Sequence, residues 1–238
     1  MKIIITVIAI IVFVLSSQAQ AQKNWTEMSK KDAEKILNDS AWGQTFTEEP
    51  SGPVDTTVIT NTRPGMSGDR KVESGQASVP RPVHYRVRFL TAKPVREAFA
   101  RIAVLSNPGA ENDLIGQLQA FIDRDFGDFL VITFTIESED VRRAQGANMM
   151  FSKMTLDNIK DRVFLERGDG KRATLIDYKP PVNDGMGCKL VFSRTVDGQP
   201  FLFDSAESVR FVFQLSEKQK VSMKFKVAAM SYAGKLEY

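Results

Sequence analysis

His84 is the only histidine and Cys188 the only cysteine among 238 residues. That inventory removes whole classes of chemistry. An H-E-x-x-H metal site, or any site with two imidazoles, cannot be assembled. A Ser-His-Asp or Cys-His arrangement would have to use His84. That residue stands in "VHYRVRFL", on the polar side of an alternating run that it shares with Arg86 and Arg88. Neighbouring cations lower the basicity of an imidazole, so an exposed strand histidine is expected there. Cys188, in "GCKLVF", opens an apolar run and reads as a small buried hydrophobe. Alone, it can close no intrachain disulfide. No G-x-S-x-G elbow occurs.

Carboxylates remain. Asp123, Asp125 and Asp128 cluster in "DRDFGD", and glycosidases work with carboxyl pairs alone. The cluster also falls at the end of an expected helix, where polar residues mark a simple turn. Three glycine stretches are turns in the same sense. "RGDGKR" lacks the spacing of a phosphate loop, and its Arg167-Gly168-Asp169 tripeptide is explained by hairpin chemistry. "VNDGMG" offers Asn183 and Asp184 but not the frame of a calcium loop. No motif implies a cofactor or a metal. The best basic candidates are Arg86 and Arg88, with His84 beside them and Lys93 and Arg96 nearby. Such a row suits an anionic envelope component or a protein partner, and it also suits the charged edge of a sheet.

Both tryptophans, Trp25 and Trp42, flank "KKDAEKILND". Ser29 and Asp32 start this stretch as a capping pair, and Ala33, Ile36 and Leu37 make one apolar stripe. So short a helix does not hold alone in water. It must dock, with Trp25 and Trp42 at the two ends of the docking surface. Docking on the chain's own domain is favoured over capture of a partner, because an exposed double-tryptophan helix is an aggregation liability.

The elements that position these residues follow from the pattern. "MKIIITVIAIIVFVLSSQAQAQ" has Lys2, an apolar run from Ile3 to Leu15, and the triplet Ala19-Gln20-Ala21. The run is short for a membrane span and matches a secretory signal, with cleavage expected after Ala21. The product is secreted or periplasmic, with no membrane span after cleavage. Charge is near balance, 32 basic side chains against 29 acidic, and cleavage takes away only Lys2. Nucleic acid is therefore not an expected partner. Residues 22–45 are read as the N-terminal amphipathic helix. Residues 46–82 are read as a linker, since 18 of 37 positions are Pro, Gly, Ser or Thr and so little apolar area cannot offset ordering entropy; "TTVIT" (56–60) is an expected short strand within it.

Residues 83–238 are the expected globular domain. "VHYRVRFL" places Val83, Tyr85, Val87 and Phe89 on one face. A helix beginning near Pro94 presents Val95, Ala98, Phe99 and Ile102; another covers roughly 112–123; "FLVITFTI" (129–136) is a strand; "SEDVRRAQGA" is a short helix capped by Ser138. Beyond residue 155 short strands alternate with glycine turns, as in an antiparallel sandwich or partly closed barrel. The fold class is α+β.

The pattern W-x₇-A-x₂-I-L-x₂-S-x-W (Trp25, Ala33, Ile36, Leu37, Ser40, Trp42), with "YRVRFLTAKPVREAFARI", "VFSRTVDGQPFL" and the ending "YAGKLEY", resembles a family of uncharacterised exported bacterial proteins of acidobacterial type. Ala41 stands where that family often has proline. The resemblance implies export and a shared architecture over nearly the whole mature chain, and no activity. Together these readings lead to an exported, non-enzymatic protein that binds a partner or serves the cell envelope, with Trp25, Trp42, Arg86 and Arg88 as docking or binding candidates. The alternative is a carboxylate-dependent hydrolase of cell-wall or polysaccharide material.

Overall fold

The computed structural model describes residues 24–49, 81–109 and 111–238. The expected signal segment, its cleavage point, the strand at 56–60 and most of the expected linker lie outside them. Five helices and twelve strands follow in chain order among the described residues. They are α1 (Lys30–Asn38), β1 (Gly43–Glu48), β2 (Val83–Phe89), α2 (Lys93–Ser106), α3 (Glu111–Ile122), β3 (Phe129–Ser138), α4 (Val141–Lys153) and α5 (Leu156–Ile159), then β4 (Val163–Arg167), β5 (Arg172–Lys179), β6 (Cys188–Ser193), the two-residue pair β7 (Thr195–Val196) and β8 (Gln199–Pro200), β9 (Ser208–Gln214), β10 (Lys220–Lys226), and the pair β11 (Ser231–Tyr232) and β12 (Lys235–Leu236). Eight strands form one antiparallel sheet in the order β1-β2-β3-β6-β5-β4-β9-β10, curled until it nearly closes as a barrel.

Alternation explains the core. Tyr85, Val87 and Phe89 of β2, Leu130, Ile132 and Phe134 of β3, Phe211 and Phe213 of β9 and Val221, Met223 and Phe225 of β10 all point inward and are buried. Phe134 is the hub, 5.2 Å from Phe213, 5.8 Å from Phe211 and 5.6 Å from Phe151 of α4 between ring centroids. Edge-to-face and tilted aromatic pairs of this kind add to plain area burial. Across the open seam, Phe89 and Phe225 meet edge to face at 5.0 Å, and Gln44 Nε2 donates to the Lys224 carbonyl.

The N-terminal segment departs from the expected single helix over 24–42. It is a 3-10 turn (Trp25–Glu27), then α1, then a tight turn into β1. Ser29 caps α1 by accepting from the Asp32 amide. Ser40 ends the helical region: its hydroxyl donates to the Ile36 carbonyl and accepts from the amides of Trp42 and Gly43. Gly43 is required by close approach, because a Cβ there would collide with the carbonyl oxygens of Ile36 and Leu37. A strand thus begins where a helix was expected to end, and Gly43–Glu48 crosses the expected boundary at 45/46 to become the first strand of the main sheet. A second small departure concerns α4, which is capped by the Asp140 carboxylate accepting from Arg142 and Arg143, not by Ser138. Ser138 instead donates to the Pro82 carbonyl.

Candidate functional site

Trp25 and Trp42 sit on opposite sides of α1, each docked on its own domain. Trp25, 6% exposed, fills a separate small core with Ala100, Val104 and Ile122, and its Nε1 donates to Gln119 Oε1 at 2.9 Å. Trp42 is half-buried, lies edge to face with Tyr232 at 6.4 Å, and donates to the Glu237 carbonyl at 2.7 Å. A chain of hydrogen bonds joins them. Gln119 Nε2 donates to Asp123 (2.6 Å), Lys93 Nζ donates to the other oxygen of Asp123 (3.0 Å), and the Lys93 amide at the start of α2 donates to Glu237 Oε1 (2.8 Å). Beside this chain Tyr232 donates to Glu97 at 2.6 Å. Burial raises the Glu97 carboxyl above its ordinary range, against the lowering effect of the Tyr232 hydrogen bond and of Lys93 and Arg96. Hydrogen bonds from Gln119 and Lys93 hold Asp123 below its ordinary range. The N-terminal tryptophans and the "YAGKLEY" ending, two widely separated sequence signatures, therefore meet in one polar seam.

Of the three clustered acids, Asp123 belongs to that seam, and Asp125 accepts from the Gly127 amide in its own loop. The Asp128 backbone carbonyl accepts from the Arg194 amide. Asp169 binds Arg167 through two parallel contacts of 3.0 and 2.6 Å, so the buried arginine of the Arg-Gly-Asp tripeptide is locked inside its own hairpin. Asp184 accepts from the Met186 amide and from Lys189. Cys188 is buried, and burial pushes its thiol up to about 12. Among the described residues no group of three or more His, Cys, Asp or Glu converges as a metal site.

The row that holds Arg86 and Arg88 is built differently from a charged edge. β2 is interior to the sheet, between β1 and β3. On its outer side Arg86 lies opposite Thr45 of β1 and Thr135 of β3; one step along, Arg88 lies opposite Gly43 and Thr133. Arg88 is only 3% exposed. Its Nε donates to the Leu37 carbonyl (2.9 Å), its Nη2 to Asn38 Oδ1 (3.1 Å), and it stands 5.5 Å from the Phe99 ring centroid. It therefore caps the carbonyl end of α1, as a cation should. Burial first, then the like charge of Arg86, lowers the Arg88 guanidinium to about 10, opposed by Glu137. Arg86 pairs with Glu137 at 2.8 Å. His84 is bonded to Thr47 (2.9 Å), Lys93 is committed to Asp123, and Arg96 is buried among the carbonyls of Leu90, Thr91 and Ile122. The expected basic row is thus not one solvent-facing patch. Alternation marked its polar side correctly, but the covering helices could not be read from it.

Next to this row a groove of about 410 Å³ opens between the end of β3 (residues 134–138), α4 and the loop 181–187. Phe134 and Phe151 form its floor, Ala144 and Asn148 one wall, and Pro181 and Val182 the other. β6 pairs with β3 only as far as Phe134, so the last turn of β3 keeps β2 on one side and the groove on the other. Gly187 (φ +82°) brings the loop close over the strand, where a Cβ would collide with the Thr135 side chain. Thr135 and Glu137 line the groove and also belong to the Arg86 row. The sequence held no signal for this groove beyond the glycines of "VNDGMG".

The crystal structure, at 1.90 Å resolution, of a protein of unknown function from Burkholderia pseudomallei K96243 is similar to this chain, with 19% identity and a TM-score of 0.38 over 61% of this chain and 76% of that one. No family model and no curated protein matches the chain.

Proposed function

We propose that this chain is an exported, non-enzymatic binding protein that holds a component of the cell envelope in the groove beside β3. The observation that carries the reading is the groove itself, about 410 Å³ with the polar groups of Thr135, Glu137, Asn148 and Asn183 in its lining. Glu137, the one ionisable side chain in that lining, is paired with Arg86, and Arg88 one step along β2 has only neutral partners. Export rests on the apolar run Ile3–Leu15 and the Ala19-Gln20-Ala21 triplet. The exposed Val182 at the rim (62% exposed) supplies apolar contact area for such a ligand. The clustered acids Asp123 and Asp125 serve the seam and a loop, which favours binding over carboxylate catalysis.

The test uses the mature protein immobilised and exposed to envelope extract, beside an Ala144→Trp variant whose indole fills the groove. A component retained by the native protein, lost in the variant and recovered chemically unaltered is the expected result. Equal retention by both proteins would remove the groove from the function. Recovery of cleaved material would replace binding with hydrolysis.

A further inference from the structure

The groove has a hydrogen-bonding edge as well as a lining. Backbone groups along β3 turn alternately to its two neighbours. The Val131 carbonyl accepts from the Leu90 amide, on the β2 side, and the Asp128 carbonyl accepts from the Arg194 amide, on the β6 side. Odd-numbered residues of β3 therefore turn their backbone groups to β2, and even-numbered residues turn theirs to β6. β6 pairs with Leu130, Ile132 and Phe134 and then stops. Ile136 and Ser138 come next on that edge, and both line the groove. Among the described residues the backbone groups of Ile136 make no hydrogen bond on this side.

The pairing register identifies the neighbour that is missing. Leu130 faces Phe192, Ile132 faces Leu190 and Phe134 faces Cys188, so Met186 would face Ile136 if the ladder went on. It does not go on. Gly185 and Gly187, at φ +72° and +82°, turn the chain off the line of β6. The Met186 amide donates within its own loop, to Asp184 Oδ1 at 2.9 Å. The space left beside Ile136 is the groove, and its volume of about 410 Å³ is that of a ligand site. Glu137 is the one ionisable side chain in the lining and Arg86 already pairs with it, so an uncharged ligand suits the charge of the site. A donor and an acceptor on one edge of a half-buried strand, with room beside them, match another polypeptide backbone.

We propose that the groove takes an extended, uncharged polypeptide segment of a partner protein, laid antiparallel on β3 where β6 has stopped. This deepens the binding reading given above and rests on it, naming the class of ligand. The ladder made by β6 continues in the guest, and one guest residue opposite Ile136 exchanges both backbone hydrogen bonds with it. Opposed residues share a face of the sheet, so that guest side chain stands on the Ile136 side. Phe134, on the same side of β3, meets Phe151 of α4 at 5.6 Å between ring centroids. The guest residue therefore points toward α4, where Ala144 and Asn148 form the wall. Its two neighbours in the guest turn to the other face, with Thr135 and Glu137. The expected guest alternates, an apolar side chain toward Ala144 and Phe151 and a polar one on the outer side.

The experiment titrates the protein with a hexapeptide of alternating threonine and valine, capped at both ends and carried on a polyethylene glycol tail. Backbone amide NMR with hydrogen exchange is the readout. Saturable binding is expected, with exchange at the Ile136 amide slowed at least about tenfold. N-methylation of the valine amides weakens binding about tenfold or more, because the valines face β3; N-methylation of the threonine amides leaves it within about twofold. Ile136→Pro abolishes binding and keeps every bond to β2, since its amide faces away from that strand. Should that variant not fold, the methylated peptides decide alone. Equal weakening by the two methylations, no binding at millimolar peptide, or binding of cellohexaose in the peptide's place overturns the proposal. Ala144→Trp keeps the two readings apart. Envelope capture that this variant loses, without peptide binding to the native chain, defeats only the peptide; peptide binding with capture untouched by the variant defeats only the envelope reading.

Discussion

The seam that gathers Trp25, Trp42 and the last residues of the chain contrasts with the outer side of β1–β3. Both are polar, both are largely covered, and both contain residues singled out by sequence. In the seam each named donor finds an acceptor: Trp25 reaches Gln119, Trp42 reaches Glu237, Tyr232 reaches Glu97, and Lys93 reaches Asp123. On the β1–β3 side five buried polar atoms find none among the described residues. A saturated network rigidifies and specifies a structure, whereas an unsaturated one costs stability unless something else completes it. The seam therefore rigidifies the structure, while the β1–β3 side carries the cost of unsaturated polar groups.

The largest effect that tests this contrast belongs to the seam. Trp25→Ala is expected to destabilise the protein by about 3–5 kcal/mol, the range for removing a fully buried tryptophan. Trp42→Ala should cost less, since Trp42 is only half-buried. Chemical denaturation monitored by circular dichroism measures both, and a melt indifferent to Trp25→Ala would turn the seam from architecture into a recognition surface. The next effect has the opposite sign. Thr133→Val keeps the shape of a wholly buried side chain and removes a hydroxyl with no protein partner. It should leave stability unchanged or raise it by about 1 kcal/mol. A clear loss would mean that the hydroxyl is already satisfied and that the contrast is false.

The smallest effect is the seam's share of the pH dependence, to which two carboxyls contribute with opposite signs. Glu97 is raised in the folded protein, chiefly by burial. Its contribution is fully present below the ordinary glutamate value, about 4.3, and is lost as pH rises through the higher folded value. Asp123 is lowered by Gln119 and Lys93. Its contribution is present above the ordinary aspartate value, about 3.9, and is lost as pH falls through the lower folded value. Tm measured from about pH 3 to 8 should therefore show Glu97→Gln lessening the loss on the neutral side and Asp123→Asn lessening the loss on the acid side, the remainder there belonging to Asp169 and Asp177, which are also held low. Both variants acting in one window would break the assignment.

What could be read from residues alone was local. Val83, Tyr85, Val87 and Phe89 alternate with polar neighbours, and the strand and its inward side follow from that period. Pro94 in the first turn marked α2, and the lone Cys188 in an apolar run marked a buried thiol. What failed was whatever a second element decides. Gly43–Glu48 reads as the end of a helix and the start of a linker, because its partners are supplied by β2, far along the chain. Arg88 reads as a solvated face because alternation reports only which side of a strand is polar, and α1 with Phe99 covers that side. Phe46 and Thr47, counted as linker, are paired with Tyr85 and His84. The groove depends on where β6 stops pairing with β3, which is a matter of register and invisible to composition.

The hydrogen bond from Trp42 to Glu237 spans 195 positions of chain, and this has a consequence for the order of events when the protein is made. A ribosome delivers the N-terminal segment first and the "YAGKLEY" residues last. Until they arrive, Trp42 has no Tyr232 to lie against, Lys93 has no carboxylate for its amide, and β10 is not there to face β1 across the seam. Contacts of such separation make folding slow, and a partly made chain of this kind exposes an indole and an unpaired strand edge at the same moment. The chain can therefore stay open through its synthesis and snap shut only when its last residues reach its first helix.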